Sequence, residues 1–257
     1  MDYVGIDIGS TAAKITLIKN GDIIHFVMPT GWSSKETAGL IKDRLNKDYD
    51  IDVESEDCRT VATGYGRISV DYADFEITEI TCHARGGREL SGARTTTIID
   101  VGGQDTKVIS LENGFVADFL MNDKCSAGTG RFIEIMADKL SLTLAELFDI
   151  AKDGKPIEIS AMCTVFAESE VINYIGEGRK KEDIAAGVID SVAKKVSQLA
   201  GRAKIKDEVI LTGGLSNVPY FAKVLSKKLN TPVHTTEDGK FAGSYGAALL
   251  AKEKKKR

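Results

Sequence analysis

Two short segments carry an aspartate and glycines in the same order, and together they could hold a magnesium-bound polyphosphate. The first segment runs from Asp7 to Lys14 (DIGSTAAK), and the second runs from Asp100 to Lys107 (DVGGQDTK). Each follows a short apolar run typical of a β-strand, so each aspartate is expected at a strand end. Carboxylates suit Mg²⁺, which keeps several of its waters, and glycines let backbone N–H groups approach phosphate oxygens. The repeat predicts a clamp for a nucleotide.

The expected roles of the site residues follow from this chemistry. Asp7 and Asp100 are predicted to hold Mg²⁺ through its waters. Lys14 would offset phosphate charge, and Gln104 would orient an attacking water. A third segment, Thr212-Gly213-Gly214, ends a predicted strand ahead of a helix and suits the adenosine. The expected nucleotide-binding set is Gly9, Ser10, Thr11, Ala12, Lys14, Gly102, Gly103, Gln104, Gly128, Thr129, Gly130, Gly213, Gly214 and Leu215.

Other phosphate-binding motifs do not fit the sequence. A P-loop needs Gly-Lys followed by Ser or Thr, whereas Gly154-Lys155 and Gly239-Lys240 are followed by Pro and Phe. No Gly-x-Gly-x-x-Gly joins a predicted strand to a helix, which argues against a dinucleotide-binding fold.

Two cysteines lie in segments with a second kind of chemistry. Cys125 and Cys163 each precede a stretch that is predicted to be helical, where a helix N-terminus would stabilise a thiolate. Neither belongs to a Cys-x-x-Cys pair, which excludes a self-contained zinc knuckle or ferredoxin motif. Spacing alone favours two buried thiols over a cluster site. We expect Cys58 and Cys82 to be packing residues, and His83 to be a hydrogen-bonding or cleft-lining residue.

The bulk composition limits the classes of protein. The chain has 257 residues, a formal net charge of -4 and four cysteines. The acidic balance argues against nucleic acid as a partner. No apolar run reaches the roughly 18 residues of a membrane span, and the N-terminus lacks a signal region, so we expect a cytoplasmic protein with reduced thiols. The basic tail 252–257 is interpreted as a solvated helix end.

Hairpin signals in both halves indicate a duplicated α/β fold. Asn20-Gly21 and Asn113-Gly114 each lie between apolar stretches, where both residues suit a type I′ turn. The expected strands are 3–8, 13–19, 22–28 and 59–63, then 96–101, 105–111, 114–121, 209–211 and 232–235. The expected helical stretches are 34–47, 129–149, 165–200, 217–229 and 242–252.

The last helix is expected to return to the first half, which makes the first domain discontinuous. We predict an ATPase domain I formed by 1–93 plus 240–257. Domain II is predicted at 94–239 and carries Cys125 and Cys163. The absence of a Pro-rich or Ser-rich linker predicts a shared interface with a cleft.

The duplicated clamp resembles the actin, Hsp70 and sugar-kinase ATPase superfamily over the whole chain. More specific segments resemble the activators of 2-hydroxyacyl-CoA dehydratases in the BadF/BadG/BcrA/BcrD ATPase family. These segments are Thr63-Gly64-Tyr65-Gly66-Arg67, Cys82-His83-Ala84, Asp100 to Asp105, Asn122 to Cys125, Cys163 to Val171 and Thr212-Gly213-Gly214.

This resemblance implies two RNase H-like domains around an ATP cleft, and a homodimer bridged by one [4Fe–4S] cluster. The ligands carried over by motif are Cys125 and Cys163 from each subunit, which together supply the four thiolates of a cubane. The implied partner is a dehydratase with its own iron–sulfur cluster, and the implied electron donor is a ferredoxin or flavodoxin. Related activators serve benzoyl-CoA reductase and double-cubane-cluster proteins.

The combination predicts ATP-dependent, one-electron activation of a partner enzyme. Two other classes stay open at this point. A small-molecule kinase of the same superfamily would need an acidic base beside an acceptor hydroxyl, and no such motif is evident. A filament-forming or purely regulatory ATP switch would contain no iron and would tolerate replacement of both cysteines.

Overall fold

Two five-stranded sheets form the framework of the computed structural model, which describes residues 1–160, 163–206 and 208–254. The strands of the first sheet are β1 (Asp2–Ile8), β2 (Ala12–Lys19), β3 (Asp22–Pro29), β4 (Cys58–Thr63) and β5 (Phe75–Glu76). Those of the second are β6 (Thr96–Val101), β7 (Thr106–Glu112), β8 (Phe115–Asn122), β9 (Val209–Gly213) and β10 (Val233–His234).

Both sheets have the same strand arrangement, which confirms the duplicated α/β fold. Their orders are β3-β2-β1-β4-β5 and β8-β7-β6-β9-β10. β1 pairs with β4 in parallel, and β6 pairs with β9 in parallel. The Asn-Gly turns have the predicted positive φ angles, which are 55° and 93° at Asn20 and Gly21, and 53° and 88° at Asn113 and Gly114.

The helices are α1 (Ser34–Tyr49), α2 (Glu79–Ser91), α3 (Gly130–Lys139), α4 (Leu144–Ala151), α5 (Thr164–Gly176), α6 (Lys181–Ala200), α7 (Pro219–Leu229) and α8 (Ala242–Glu253). Short 3₁₀ turns cover Arg67–Ser69 and Gly239–Phe241. Among the described residues, the helices are too short or too polar to cross a membrane.

Two predicted helical stretches are each divided in the structure. The stretch 129–149 becomes α3 and α4, because Ser141 takes a left-handed φ of 52° and a Thr143–Glu146 capping box starts a new helix. The stretch 165–200 becomes α5 and α6, and Gly178 lies between them with a φ of 72°.

The chain forms two compact units, each with its own core. The first contains Met1–Arg94, Leu111–Val116 and Asp238–Arg257, and the second contains Thr95–Ser110 and Ala117–Glu237. The described part of the first unit includes α8, and the basic residues 255–257 lie outside the described residues. The assignment of ATPase domains at 1–93 plus 240–257 and at 94–239 stays a prediction.

Helix α8 packs directly on α2 because glycines remove the side chains at the contact. A Cβ on Gly246 would lie 1.8 Å from the Cys82 carbonyl oxygen. A Cβ on Gly86 would lie 1.9 Å from the Ala242 carbonyl oxygen. This close approach fixes the first turn of α8 beside the end of β1, where Asp7 lies.

Candidate nucleotide site and cysteine turns

Asp7 lies at the end of β1 in the first unit, buried to 5% exposure. Lys14 on β2 and Thr63 on β4 are its register partners on either side. The His83 Nε2 atom lies 3.9 Å from the Asp7 Oδ2 atom. The sequence prediction placed Asp7 and Lys14 together, but it did not connect His83 with either of them.

Asp100 occupies the matching place in the second unit, at 2% exposure. The Thr212 hydroxyl donates a hydrogen bond to Asp100 Oδ1 at 2.8 Å. The Lys107 ammonium lies 3.6 Å from Asp100 Oδ2 and donates to Asp105 Oδ1 at 2.7 Å. A carboxylate held by a hydroxyl and a cation is fixed in orientation, as a group that positions metal-bound water must be.

A Thr-Gly pair completes the duplication, and sequence reasoning missed it. Thr63 is the β4 register partner of Asp7, and Thr212 is the β9 register partner of Asp100. The following Gly64 and Gly213 have φ angles of 86° and 81°, which disfavour other residues. The signal was the pair of segments TVATG and VILTG, each an apolar strand that ends in Thr-Gly.

Several predicted binding residues of the second unit meet at one loop. The Gly102 carbonyl accepts a hydrogen bond from the Gly130 N–H at 2.9 Å, and the Gly103 carbonyl accepts one from the Arg131 N–H at 3.0 Å. The Thr129 hydroxyl lies 3.2 Å from the Gly103 carbonyl oxygen. Helix α3 therefore begins against the glycine loop that follows Asp100.

The remaining predicted residues differ in exposure. Ser10, Thr11, Gln104 and Gly214 are exposed, and their loops leave them accessible to a ligand. Leu215 is 5% exposed and belongs to the core of the second unit, so only its backbone could contact a nucleotide. The Gly128 φ of 98° gives the turn before α3 its shape, and the buried Thr106 hydroxyl donates to the Gly128 carbonyl at 2.8 Å.

Cys125 and Cys163 are both exposed and neither is in a disulfide. The residues that follow them are in contact, because the hydroxyls of Ser126 and Thr164 share a hydrogen bond of 2.7 Å. The two thiols therefore lie in adjoining turns of the second unit. Within the described residues, no group of three or more His, Cys, Asp or Glu side chains could hold a metal ion.

The expected position of Cys125 directly before a helix is wrong. Helix α3 starts at Gly130 with Thr129 as its N-cap, and the turn from Ser126 to Gly128 separates it from Cys125. Its first N–H groups point at the glycine loop instead. Cys163 does fit the expectation, since it is the N-cap of α5 and its side chain makes no capping hydrogen bond.

The other two cysteines are buried, as a packing role requires. Cys58 is 3% exposed and Cys82 is 0% exposed. Burial raises the pKa of the Cys82 thiol to about 12, so it stays protonated near neutral pH. His25 in β3 stacks on Phe241 with ring centroids 4.5 Å apart, and burial lowers its pKa.

These arrangements provide two kinds of candidate binding site. Buried carboxylates at strand ends, each followed by a glycine turn, suit a hydrated Mg²⁺ and phosphate oxygens. Two exposed thiols in adjoining turns, one of them at a helix N-terminus, suit an anionic metal cluster.

Comparison with known proteins shows the family of the chain. The model of the BadF/BadG/BcrA/BcrD ATPase family matches residues 4–251. The 2-hydroxyisocaproyl-CoA dehydratase activator of Clostridioides difficile is 40% identical, over 98% of this chain and 95% of that protein. The (R)-2-hydroxyglutaryl-CoA dehydratase activating ATPase of Acidaminococcus fermentans is 40% identical, over 98% and 97%.

Solved structures show the same fold. The 2-hydroxyisocaproyl-CoA dehydratase activator from Clostridium difficile with bound ADPNP superposes with a TM-score of 0.89 at 40% identity, over 98% of this chain and 96% of that one. A ROK family glucokinase from Streptomyces griseus reaches 0.63 at 14% identity, over 99% and 100%, and shows the fold alone.

A more distant relative is one of the subunits of the benzoyl-CoA reductase of Thauera aromatica. It is 28% identical over 95% of this chain and 91% of that protein. The family match covers nearly the whole chain, and the relatives match along nearly their full length. The chain belongs to the BadF/BadG/BcrA/BcrD ATPase family.

Proposed function

We propose that this protein is an ATP-dependent activator that delivers single electrons to a 2-hydroxyacyl-CoA dehydratase. It acts as a homodimer, with one [4Fe–4S] cluster held by Cys125 and Cys163 of each subunit. The relatives with about 40% identity are named as dehydratase activators, which favours this partner class. A ferredoxin or flavodoxin is the proposed electron donor.

The proposed nucleotide site uses the duplicated strand ends. Asp7 and Asp100 hold Mg²⁺ through its waters, and the glycine turns offer backbone N–H groups to the phosphates. Gln104, which is exposed in its loop, orients the attacking water in this proposal. The Lys107 ammonium, 3.6 Å from Asp100 Oδ2, helps to orient that carboxylate for Mg²⁺ binding.

The cysteine turns fit a cluster that is shared between subunits. A [4Fe–4S] cluster with four thiolate ligands supplies one-electron transfer at low potential. Each chain offers two exposed thiols, Cys125 and Cys163, in adjoining turns. A two-fold axis would bring four together. The N-terminus of α5, which the Cys163 side chain does not cap, would stabilise negative charge beside Cys163.

The observation that carries the proposal is a chain of hydrogen bonds from the glycine loop to both cysteine turns. The Thr129 hydroxyl lies 3.2 Å from the Gly103 carbonyl oxygen and 2.7 Å from the Ser126 carbonyl oxygen. It has one proton, so it donates fully to only one of them at a time. Ser126 then bonds to Thr164 at 2.7 Å. A shift of the Gly103 carbonyl on nucleotide binding would therefore alter the surroundings of Cys125 and Cys163.

Hydrophobic side chains beside Cys163 suit contact with another protein. Val165 and Phe166, in the first turn of α5, are 67% and 69% exposed. Aromatic and aliphatic groups next to an electron-transfer centre exclude water from a docked interface. We propose that the surface around Cys163 serves both the second subunit and the partner enzyme.

Thiol alkylation of the reduced, iron-free protein tests this coupling. Cys58 and Cys82 are buried, so alkylation reports on the two exposed thiols. Binding of Mg²⁺ and ADPNP should change the alkylation rates of Cys125 and Cys163. Loss of one hydrogen bond, worth about 0.5–1.5 kcal/mol, should reduce that change by a factor of roughly 2–10 in Ser126→Ala and in Thr164→Val.

Nucleotide affinity, measured in parallel, should match the wild type in both variants. Equal rate changes in the variants and the wild type would contradict the hydrogen-bond route. No nucleotide effect in the wild type would contradict the coupling itself.

The similarity to a benzoyl-CoA reductase component favours a second candidate partner, an aromatic acyl-CoA reductase. Reduction assays that offer a dehydratase and a benzoyl-CoA reductase separately, each with ATP and a low-potential donor, distinguish the two. We expect the dehydratase to be activated.

A further inference from the structure

The two strand-end aspartates are held by different neighbours. Asp100 accepts a hydrogen bond from the Thr212 hydroxyl. Thr63 has the matching register position beside Asp7, but its buried hydroxyl makes no hydrogen bond to Asp7 within the described part of the chain. The carboxylate of Asp7 must therefore take its orientation from other groups.

The imidazole of His83 faces the Asp7 carboxylate. His83 lies on α2 and is 6% exposed, and its Nε2 atom is 3.9 Å from Asp7 Oδ2. That separation is too long for a direct hydrogen bond. Both side chains are buried, so solvent screens the imidazole and the carboxylate from each other only weakly. Hydrogen bonds at catalytic sites are often long without substrate and tighten when the substrate complex forms.

Two glycines enclose the same carboxylate. A Cβ on Gly243, in the first turn of α8, would lie 2.4 Å from Asp7 Oδ2 and 2.9 Å from His83 Nε2. A Cβ on Gly64 would lie 2.5 Å from Asp7 Oδ1. A side chain at either position would collide with the carboxylate, so both glycines let the backbone pass close to Asp7.

We infer that His83 is a positioning residue for Asp7, and that it fixes the carboxylate in the first half as Thr212 does in the second. This inference rests on the proposed nucleotide site, in which Asp7 binds Mg²⁺ through water. The role belongs to the Nε2 atom of His83. A side chain that places an N–H at the position of Nε2 should therefore preserve Mg²⁺-dependent binding. A side chain without an N–H there should weaken it.

Equilibrium binding of ADPNP at increasing Mg²⁺ tests the inference without relying on turnover. In His83→Leu, the Mg²⁺ concentration for half-maximal binding should rise about 10-fold or more, as for loss of an outer-shell partner of a metal site. His83→Gln, whose amide nitrogen reaches the Nε2 position, should stay within about 3-fold of the wild type, whereas His83→Asn should resemble His83→Leu. His25→Gln, the same change at a half-buried histidine on β3, is the control and should bind as the wild type does.

Thermal unfolding identifies variants that fail to fold. If His83→Leu does not fold, the comparison of His83→Gln with His83→Asn still tests whether an N–H at the Nε2 position is required. Equal Mg²⁺ dependence in His83→Asn, His83→Gln and the wild type would overturn the inference and leave the nucleotide site intact. If the wild type itself shows no Mg²⁺-dependent binding, the proposed site fails.

Discussion

Replacement of Thr212 with valine should impair ATP hydrolysis much more than the matched replacement of Thr63. The Thr212 hydroxyl donates a buried, charge-assisted hydrogen bond of 2.8 Å to Asp100. Valine keeps the shape of threonine, so the main loss is that bond, worth about 1.5–3 kcal/mol to a charged group. At about 1.4 kcal/mol per factor of ten, kcat/KM should fall roughly 10- to 150-fold.

Thr63→Val provides the control that the duplication offers. The Thr63 hydroxyl is also buried at a strand end, but it faces the Cys82 thiol and makes no hydrogen bond to Asp7 in the described structure. We expect kcat/KM to stay within about 3-fold of the wild type, as for a substitution worth about 0.5 kcal/mol. The assay is steady-state hydrolysis of Mg-ATP under anaerobic conditions. A Thr212→Val enzyme within that same range, or equal losses in both variants, would refute the role given to the Thr212–Asp100 bond.

Three further predictions concern stability, ligands and pH. Gly246→Ala should lower the free energy of unfolding by about 1–3 kcal/mol or more in denaturant titrations, because its Cβ would clash with the Cys82 carbonyl. The control is Gly39→Ala in α1, where a Cβ meets open space, and it should raise the free energy of unfolding by about 0.4–1 kcal/mol. Cys125→Ser and Cys163→Ser should each lose iron in anaerobic analysis while they bind ADPNP normally, and retained iron would contradict the ligand assignment. Burial lowers the pKa of His25 from 6.5, so the unfolded state takes up a proton first and the free energy of unfolding should fall as the pH drops below 6.5. A His25→Gln protein should lose part of that slope, and an unchanged slope would contradict the burial effect.

The fold could be predicted where its signals are local. The strands on either side of Asn20-Gly21 and Asn113-Gly114 follow from alternating apolar residues and turn chemistry within a few residues. The repeat of Asp7 and Asp100 likewise gave the strand ends, because a strand followed by glycine is a short-range pattern. The break between α3 and α4 was missed because the apolar period continues through Ser141, although Thr143 and Glu146 have the spacing of a capping box.

The surroundings of the aspartates could not be predicted, because they come from distant segments. Thr212 reaches Asp100 through the pairing of β9 with β6, and His83 reaches Asp7 through α2. No spacing in the sequence encodes such contacts. Cys125 was misplaced for a related reason, since the turn from Ser126 to Gly128 depends on the distant Thr106 hydroxyl that binds the Gly128 carbonyl.

Iron, sulfide and molecular mass, measured together on anaerobically purified protein, test the central claim most directly. The claim is that two chains share one cubane through Cys125 and Cys163. It predicts about four irons and four sulfides per dimer, the content of a single [4Fe–4S] cluster, with loss of colour and of electron delivery in air. Four irons per monomer, or none after careful reconstitution, would contradict it.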